Sequence, residues 1–140
     1  MFEMDVIRIY LFGQVRFLDL LVLLMFCDIV TGILKAWKNK RLRSRSALYG
    51  YARKIGMLVA IIVANVVDQV LNLGGLLAGF SVLWYIVNEA LSILENLNQM
   101  GVNVLPGLSN KLHVVQAEMQ EQGVENKELN PILEKTKEEK

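Results

Sequence analysis

Three acidic residues lie at depth within long apolar runs, where a carboxyl group could bind a proton or a cation: Asp28, Asp68 and Glu89. An ionised acid at the centre of a bilayer costs about 2.5–3.5 kcal/mol on insertion scales, so these side chains should face other helices or water. Asp28 and Glu89 both lie about half-way along their runs, and we expect no Lys or Arg at that depth. We therefore expect two like charges to approach each other in a low dielectric, and hypothesise that they make assembly sensitive to membrane energisation.

Further polar residues recur at helical spacing along each run. The third run carries Asn88, Ser92 and Glu95 together with Ser81, Tyr85 and Gln99, at intervals of three or four. The second run carries Asn65, Asp68 and Asn72, and the first carries Asp28, Thr31, Gly32 and Lys35. Such stripes can be hidden inside a bundle, across an oligomer or around a water-filled hole. For Asn65, Asn72, Ser81 and Ser92, interhelical hydrogen bonds alone are the simpler interpretation.

The composition excludes an ordinary soluble enzyme. Hydrophobic types make up 54% of the 140 residues, and most of them fall in three runs. One Cys27 and one His113 cannot supply a typical zinc site or an intrachain disulfide. The sequence also lacks a nucleotide-binding glycine loop and a convergent Ser/His/Asp set. We expect no metal, no cofactor and no catalytic residue.

The elements that must position the polar residues are three apolar runs, at residues 18–37, 55–73 and 77–97. Each approaches the roughly 20 residues that a helix needs to cross a bilayer, and none alternates like a barrel strand. We therefore predict an all-α membrane protein whose transmembrane domain covers residues 17–97. Residues 1–16 should form an amphipathic segment at the outer interface. Residues 98–140 should form a tail, with a short helix at 108–122 and a charged, disordered end.

The basic residues predict the direction of the spans. They crowd between the first two runs: Lys35, Lys38, Lys40, Arg41, Arg43, Arg45, Arg53 and Lys54. Short loops rich in Lys and Arg stay in the cytoplasm and lie against anionic headgroups. The amino terminus should thus be outside, and the tail should be cytoplasmic. The position of this loop between two spans speaks against nucleic acid as its partner.

Several motifs occur in a telling order: Asp28-Ile-Val-Thr-Gly-Ile-Leu-Lys-Ala36, then Val66-Val-Asp-Gln69, then Asn88-Glu-Ala-Leu-Ser-Ile-Leu-Glu-Asn96 followed by Gly101 and Pro106. In this order, on three spans with a basic loop, the sequence resembles the bacteriophage holins of the toxin-secretion and phage-lysis group. The resemblance runs from about residue 18 to residue 112. It implies a small phage protein of the bacterial cytoplasmic membrane that self-associates and permeabilises the membrane. A cell-wall hydrolase (endolysin) or a toxin is then released or activated.

Two other functions remain open on the sequence. An antiholin-type regulator would bind a lytic holin and delay it, and could share every span with its target. A small proton-coupled exporter would use Glu89 to bind a cation and a proton alternately, although three spans without an inverted repeat are a poor scaffold for it. The partners that we expect are further copies of the chain and membrane lipid, with a functional link to the hydrolase or toxin.

Overall fold

Five α-helices build the part of the chain that the structure describes. The structure is a computed structural model that describes residues 2–41 and 45–138. The helices are α1 (Phe2–Phe12), α2 (Leu18–Lys38), α3 (Arg45–Leu71), α4 (Leu76–Gln99) and α5 (Leu108–Glu138). No strand occurs within these ranges, and the prediction of an all-helical protein is confirmed.

Three of the helices are long and apolar enough to cross a membrane: α2, the Ala47–Leu71 part of α3, and α4. At 1.5 Å per residue, α2 is about 32 Å long and α4 about 36 Å, close to the ~30 Å hydrocarbon thickness. Large apolar side chains cover their outward surfaces, for example Leu23, Phe26, Val59, Val63 and Leu83. A surface of this kind suits lipid, and the prediction of three helices long and apolar enough to span a membrane is confirmed.

The central helix is α4, which packs against α2, α3 and α5, while α1 packs against α3. One apolar cluster joins the three spans, and it consists of Leu18, Leu21, Met25, Met57, Ile61 and Val82. Leu21, Ile61 and Val82 are fully buried. The cluster fills the half of the bundle that contains the beginning of α2, and the buried polar groups lie on either side of it.

The boundaries of the second span differ from the prediction. The helix begins at Arg45 rather than at residue 55, because the charged residues that interrupt the apolar run do not interrupt helix formation. It ends at Leu71 rather than at residue 73. Asn72 then adopts a left-handed conformation with φ of 54°, a frequent way for asparagine to terminate a helix.

The tail also differs from the prediction. The last helix continues to Glu138, whereas we expected it to end near residue 122 and a disordered segment to follow. Nine of the sixteen residues from 123 to 138 are Glu, Lys or Leu, which are good helix formers. Furthermore, α5 turns back along α4, so that Met119 and Gly123 face Phe80 and Ser81 across a shared groove.

Candidate functional site

An ion cluster joins the three spanning helices at one level. The Lys54 ammonium on α3 donates to Asp28 Oδ2 on α2 at 2.6 Å and to Glu89 Oε2 on α4 at 2.5 Å. The side chains of Lys54 and Asp28 are each 13% exposed, and that of Glu89 is 4% exposed. Two carboxylates therefore share one ammonium in a nearly dry environment.

Asn96 extends the cluster along α4. Its amide donates to Asp28 Oδ1 at 3.0 Å and to Thr31 Oγ1 at 3.2 Å. Thr31 in turn donates its hydroxyl to the Asp28 carbonyl oxygen at 3.1 Å. Both carboxylate oxygens of Asp28 thus have a partner. Among the side chains described, at residues 3–41, 45 and 47–123, no fully buried nitrogen or oxygen lacks a hydrogen bond.

The cluster lies near the middle of the bundle. Asp28 and Glu89 each lie about 15 Å of helix from the carboxyl ends of α2 and α4, and Lys54 lies about 14 Å from the start of α3. In a chain that spans a bilayer, this level falls close to the centre of the hydrocarbon. Charges at such depth are stable only when they are paired and face the protein interior.

A cavity of about 360 Å³ lies beside the cluster. The residues that line it include Asp28, Gly32, Lys35, Lys54, Ser92 and Asn96. The fold therefore brings together four of the residues that the sequence singled out on the first and third spans. A Cβ on Gly32 would meet Asn96 Nδ2 at 3.9 Å, an ordinary contact, so this glycine is not required by crowding.

Two expectations about this cluster are wrong. We expected no cation at the depth of Asp28 and Glu89, and we grouped Lys54 with the lipid-facing basic residues. Its ammonium instead lies between the two acids. Because α3 begins early, Lys54 falls within a spanning helix rather than at the end of a loop. The two carboxylates are therefore bridged rather than left to repel each other.

Asp68 has a separate role at the other end of the bundle. Its two carboxylate oxygens accept hydrogen bonds from the backbone amides of Leu77 at 3.0 Å and Ala78 at 2.8 Å. These amides lie in the first turn of α4, where backbone N–H groups have no hydrogen-bond acceptor within the helix. A buried carboxylate here also complements the positive end of the helix dipole, so Asp68 joins α3 to α4 as a cap.

Asn65 joins α3 to α1. Its amide donates to the carbonyl oxygen of Leu11 at 3.0 Å, near the end of α1. Gly13, with φ of +66°, follows immediately after the helix, and a Cβ at this position would lie 2.6 Å from Asn65 Oδ1. The close approach explains how a short helix of mixed polarity is fixed to the bundle.

Three of the polar residues singled out from the sequence lie elsewhere. Asn72 is exposed in the turn after α3, and Glu95 is exposed and accepts a hydrogen bond from Gln99 at 3.2 Å. Asn88 faces α5, where its side-chain oxygen accepts a hydrogen bond from Gln116 at 2.9 Å. The single stripe predicted for α4 is thus divided, because Asn88 faces α5 whereas Ser92 lines the cavity beside Asp28.

Most of the other basic residues lie near the α2–α3 connection. Lys38 donates to the Met100 carbonyl oxygen at 2.8 Å and so joins the carboxyl ends of α2 and α4. Lys40, Arg41 and Arg45 are exposed there. Arg53 is also exposed, but it directly precedes Lys54 and lines a groove with Trp84 and Asn88 nearer the middle of the bundle. Arg43 lies outside the described residues. The placement of Lys40, Arg41 and Arg45 keeps a strongly basic surface at one end of the bundle.

Sequence reasoning missed Asn96 as a site residue. The signal was present, because Asn96 follows Glu89 by seven residues and therefore lies on the same face of α4. It was passed over because the neighbouring stripe of Asn88, Ser92 and Glu95 was longer. The contacts of Lys54 with Asp28 and Glu89 depend on how three helices pack together, so the sequence of a single span does not predict them.

Comparison with known proteins gives a consistent result. The sequence model of the Bacteriophage holin family matches residues 6–117, from α1 into α5. A probable holin of Bacillus phage phi105 is 47% identical over 116 residues, which are 83% of this chain and 86% of that protein. The uncharacterized protein YqxH of Bacillus subtilis (strain 168) is 50% identical over 118 residues, 84% of each chain. No solved structure matches.

Proposed function

This chain belongs to the bacteriophage holin family, and we propose that it assembles with further copies in the bacterial cytoplasmic membrane and permeabilises it. The observation that carries the proposal is the family match, which extends over all three spanning helices. The phage phi105 relative, described as a probable holin, supports it. Action of this kind needs no catalytic group.

The packing of one copy supports a two-stage mechanism. Apolar side chains cover the outside of the spans, whereas the Lys54 cluster lies inside. A single copy can therefore reside in lipid with the charges of Asp28, Lys54 and Glu89 shielded from it. Opening a hole requires several copies to rearrange. Polar groups that contact each other within one copy then contact water in a lumen shared by the copies. The cluster then sets part of the barrier between the sealed and the open state.

The proposed orientation places the amino terminus outside and α5 in the cytoplasm. Support comes from the basic residues at the α2–α3 connection, since loops of this charge remain on the cytoplasmic side. The cargo released is an endolysin, or a toxin as the resemblance implies. In either case the protein interacts with membrane lipid and with other copies, and the cargo needs no binding site on it.

The test is inducible expression in a bacterium that carries a potential-sensitive dye. One strain also produces a cytoplasmic endolysin without an export signal, and the other does not. Holin action predicts an abrupt loss of membrane potential in both strains, followed by lysis only where the endolysin is present. The negative control is the same gene with an early stop codon in α2, which is induced in the same way but yields no full-length protein.

The other outcomes separate the alternatives. Verified membrane insertion without depolarisation contradicts the proposal and favours an antiholin-type regulator, which would then delay lysis when produced with a lytic holin. Increased resistance to a toxic cation, without growth arrest, would favour the proton-coupled exporter.

A further inference from the structure

The face of α4 that α5 covers is unusual for a spanning helix. It carries Trp84, Tyr85 and Asn88, with Ser81 one turn earlier. The Asn88 amide donates to the Trp84 carbonyl oxygen at 2.7 Å, and its oxygen accepts from Gln116. A groove of about 370 Å³ between the helices is lined by Phe80, Ser81, Trp84, Tyr85, Met119 and Gly123 among others.

The outer surface of α5 is charged along the same stretch. Lys111, Glu118 and Glu121 are exposed, and they lie on the turns around Gln116, which is level with Asn88 near the middle of α4. If α4 crosses a bilayer, a docked α5 would bring these charges into the hydrocarbon, where a charged side chain is costly. Docking of α5 on a lipid-embedded α4 is therefore costly, so docked and released α5 are states in equilibrium, and the Gln116–Asn88 hydrogen bond favours the docked one.

Departure of α5 leaves a defined surface behind. Asn88 loses its Gln116 partner, and its carboxamide oxygen then faces hydrocarbon at mid-depth. A carboxamide both donates and accepts, so the Asn88 of a second copy is a complementary partner across a two-fold axis. Amide pairs of this kind hold membrane helices together, and the flanking aromatic rings add contact area.

From this geometry we propose that the α4 face of Ser81, Trp84, Tyr85 and Asn88 is a contact surface for a second copy of the chain, and that α5 competes with that copy for it. The proposal rests on the membrane residence argued under the proposed function, and it adds a specific interface and an internal competitor. Docked α5 keeps a chain single, and release of α5 permits pairing.

Disulfide crosslinking in native membranes tests the interface. The chain is used at full length with its one cysteine removed (Cys27→Ser), and Ser81→Cys places a thiol on the proposed face. Leu83→Cys is the matched control, because it lies at nearly the same height and points about 160° away around the helix. Each thiol is tested with and without Gln116→Ala, which removes the hydrogen bond to Asn88. Glu118→Gln is the control for a change in α5 that does not involve this bond.

Oxidation should give disulfide dimers of the Ser81→Cys chain with a yield several-fold above that of the Leu83→Cys chain. Adding Gln116→Ala should raise the dimer yield of Ser81→Cys at least two-fold, and adding Glu118→Gln should leave it unchanged. An equal yield with and without Gln116→Ala would contradict competition by α5.

Two other results would contradict the proposed interface itself. Absence of dimers of the Ser81→Cys chain, or crosslinks to a different membrane protein instead, would contradict pairing through this face. Because crosslinking is scored without reference to depolarisation, a failed interface is distinguishable from a failed holin function.

Discussion

A single lysine holds together two acids that could not both remain buried alone. Lys54 contacts Asp28 and Glu89 on two different helices, and each partner is almost completely enclosed. The attraction within such a cluster offsets the desolvation of its members, but removal of one member leaves an uncompensated charge. The cluster therefore adds little net stability of its own. Its charges are neutralised only when all three spans pack together.

Replacement of Lys54 tests this dependence. Lys54→Gln leaves two carboxylates without their cation, and we expect a loss of about 3–5 kcal/mol of stability in detergent. Thermal unfolding followed by circular dichroism measures the loss. Arg41→Gln removes the same charge from an exposed residue and should change stability by less than about 0.5 kcal/mol. Equal effects of the two substitutions would contradict the role of the cluster.

Asp68 makes a second prediction at this scale. Asp68→Ala removes the acceptor for the amides of Leu77 and Ala78, and we expect a cost of about 1–2 kcal/mol. The α3–α4 turn should also become more sensitive to limited proteolysis. Gln69→Ala, an exposed neighbour, is the control. Unchanged cleavage in the Asp68 variant would mean that the cap does not hold the hairpin.

Among the helices, α1 is fixed by one close approach rather than by a broad apolar contact. Gly13 and Gly74 share a φ of +66°, but only Gly13 has a neighbour, Asn65, at a distance that a Cβ could not tolerate. Gly13→Ala should therefore lower the unfolding temperature more than Gly74→Ala, since the backbone strain is common to both. A larger effect at Gly74 would contradict the docking of α1 on α3.

The sequence predicted the helices well and their partners poorly. Length and hydropathy were enough to find three spans, because the bilayer thickness limits what can cross it. Helix ends at Arg45 and Glu138 were missed, because charge interrupts an apolar pattern without interrupting a helix. The position of Lys54 between Asp28 and Glu89 depends on how α2, α3 and α4 are packed against one another, and no single run contains that information.

At the level of the whole molecule, one copy has spans with a largely apolar outer surface and an ion cluster inside. The exposed surfaces of the spans carry large apolar side chains, and the buried polar atoms within the described ranges are hydrogen-bonded. Such a copy has no reason to perforate a membrane by itself. Permeabilisation should therefore depend on how densely the copies are packed in the bilayer.

Release of a trapped dye from vesicles tests this claim most directly. Purified protein is reconstituted at increasing protein-to-lipid ratios, and insertion is verified at each ratio. We predict little release at low density and a steep rise above a threshold, with a lower threshold for Lys54→Gln than for Arg41→Gln. Release in strict proportion to the amount of protein, or no release at any density of inserted protein, would contradict the account.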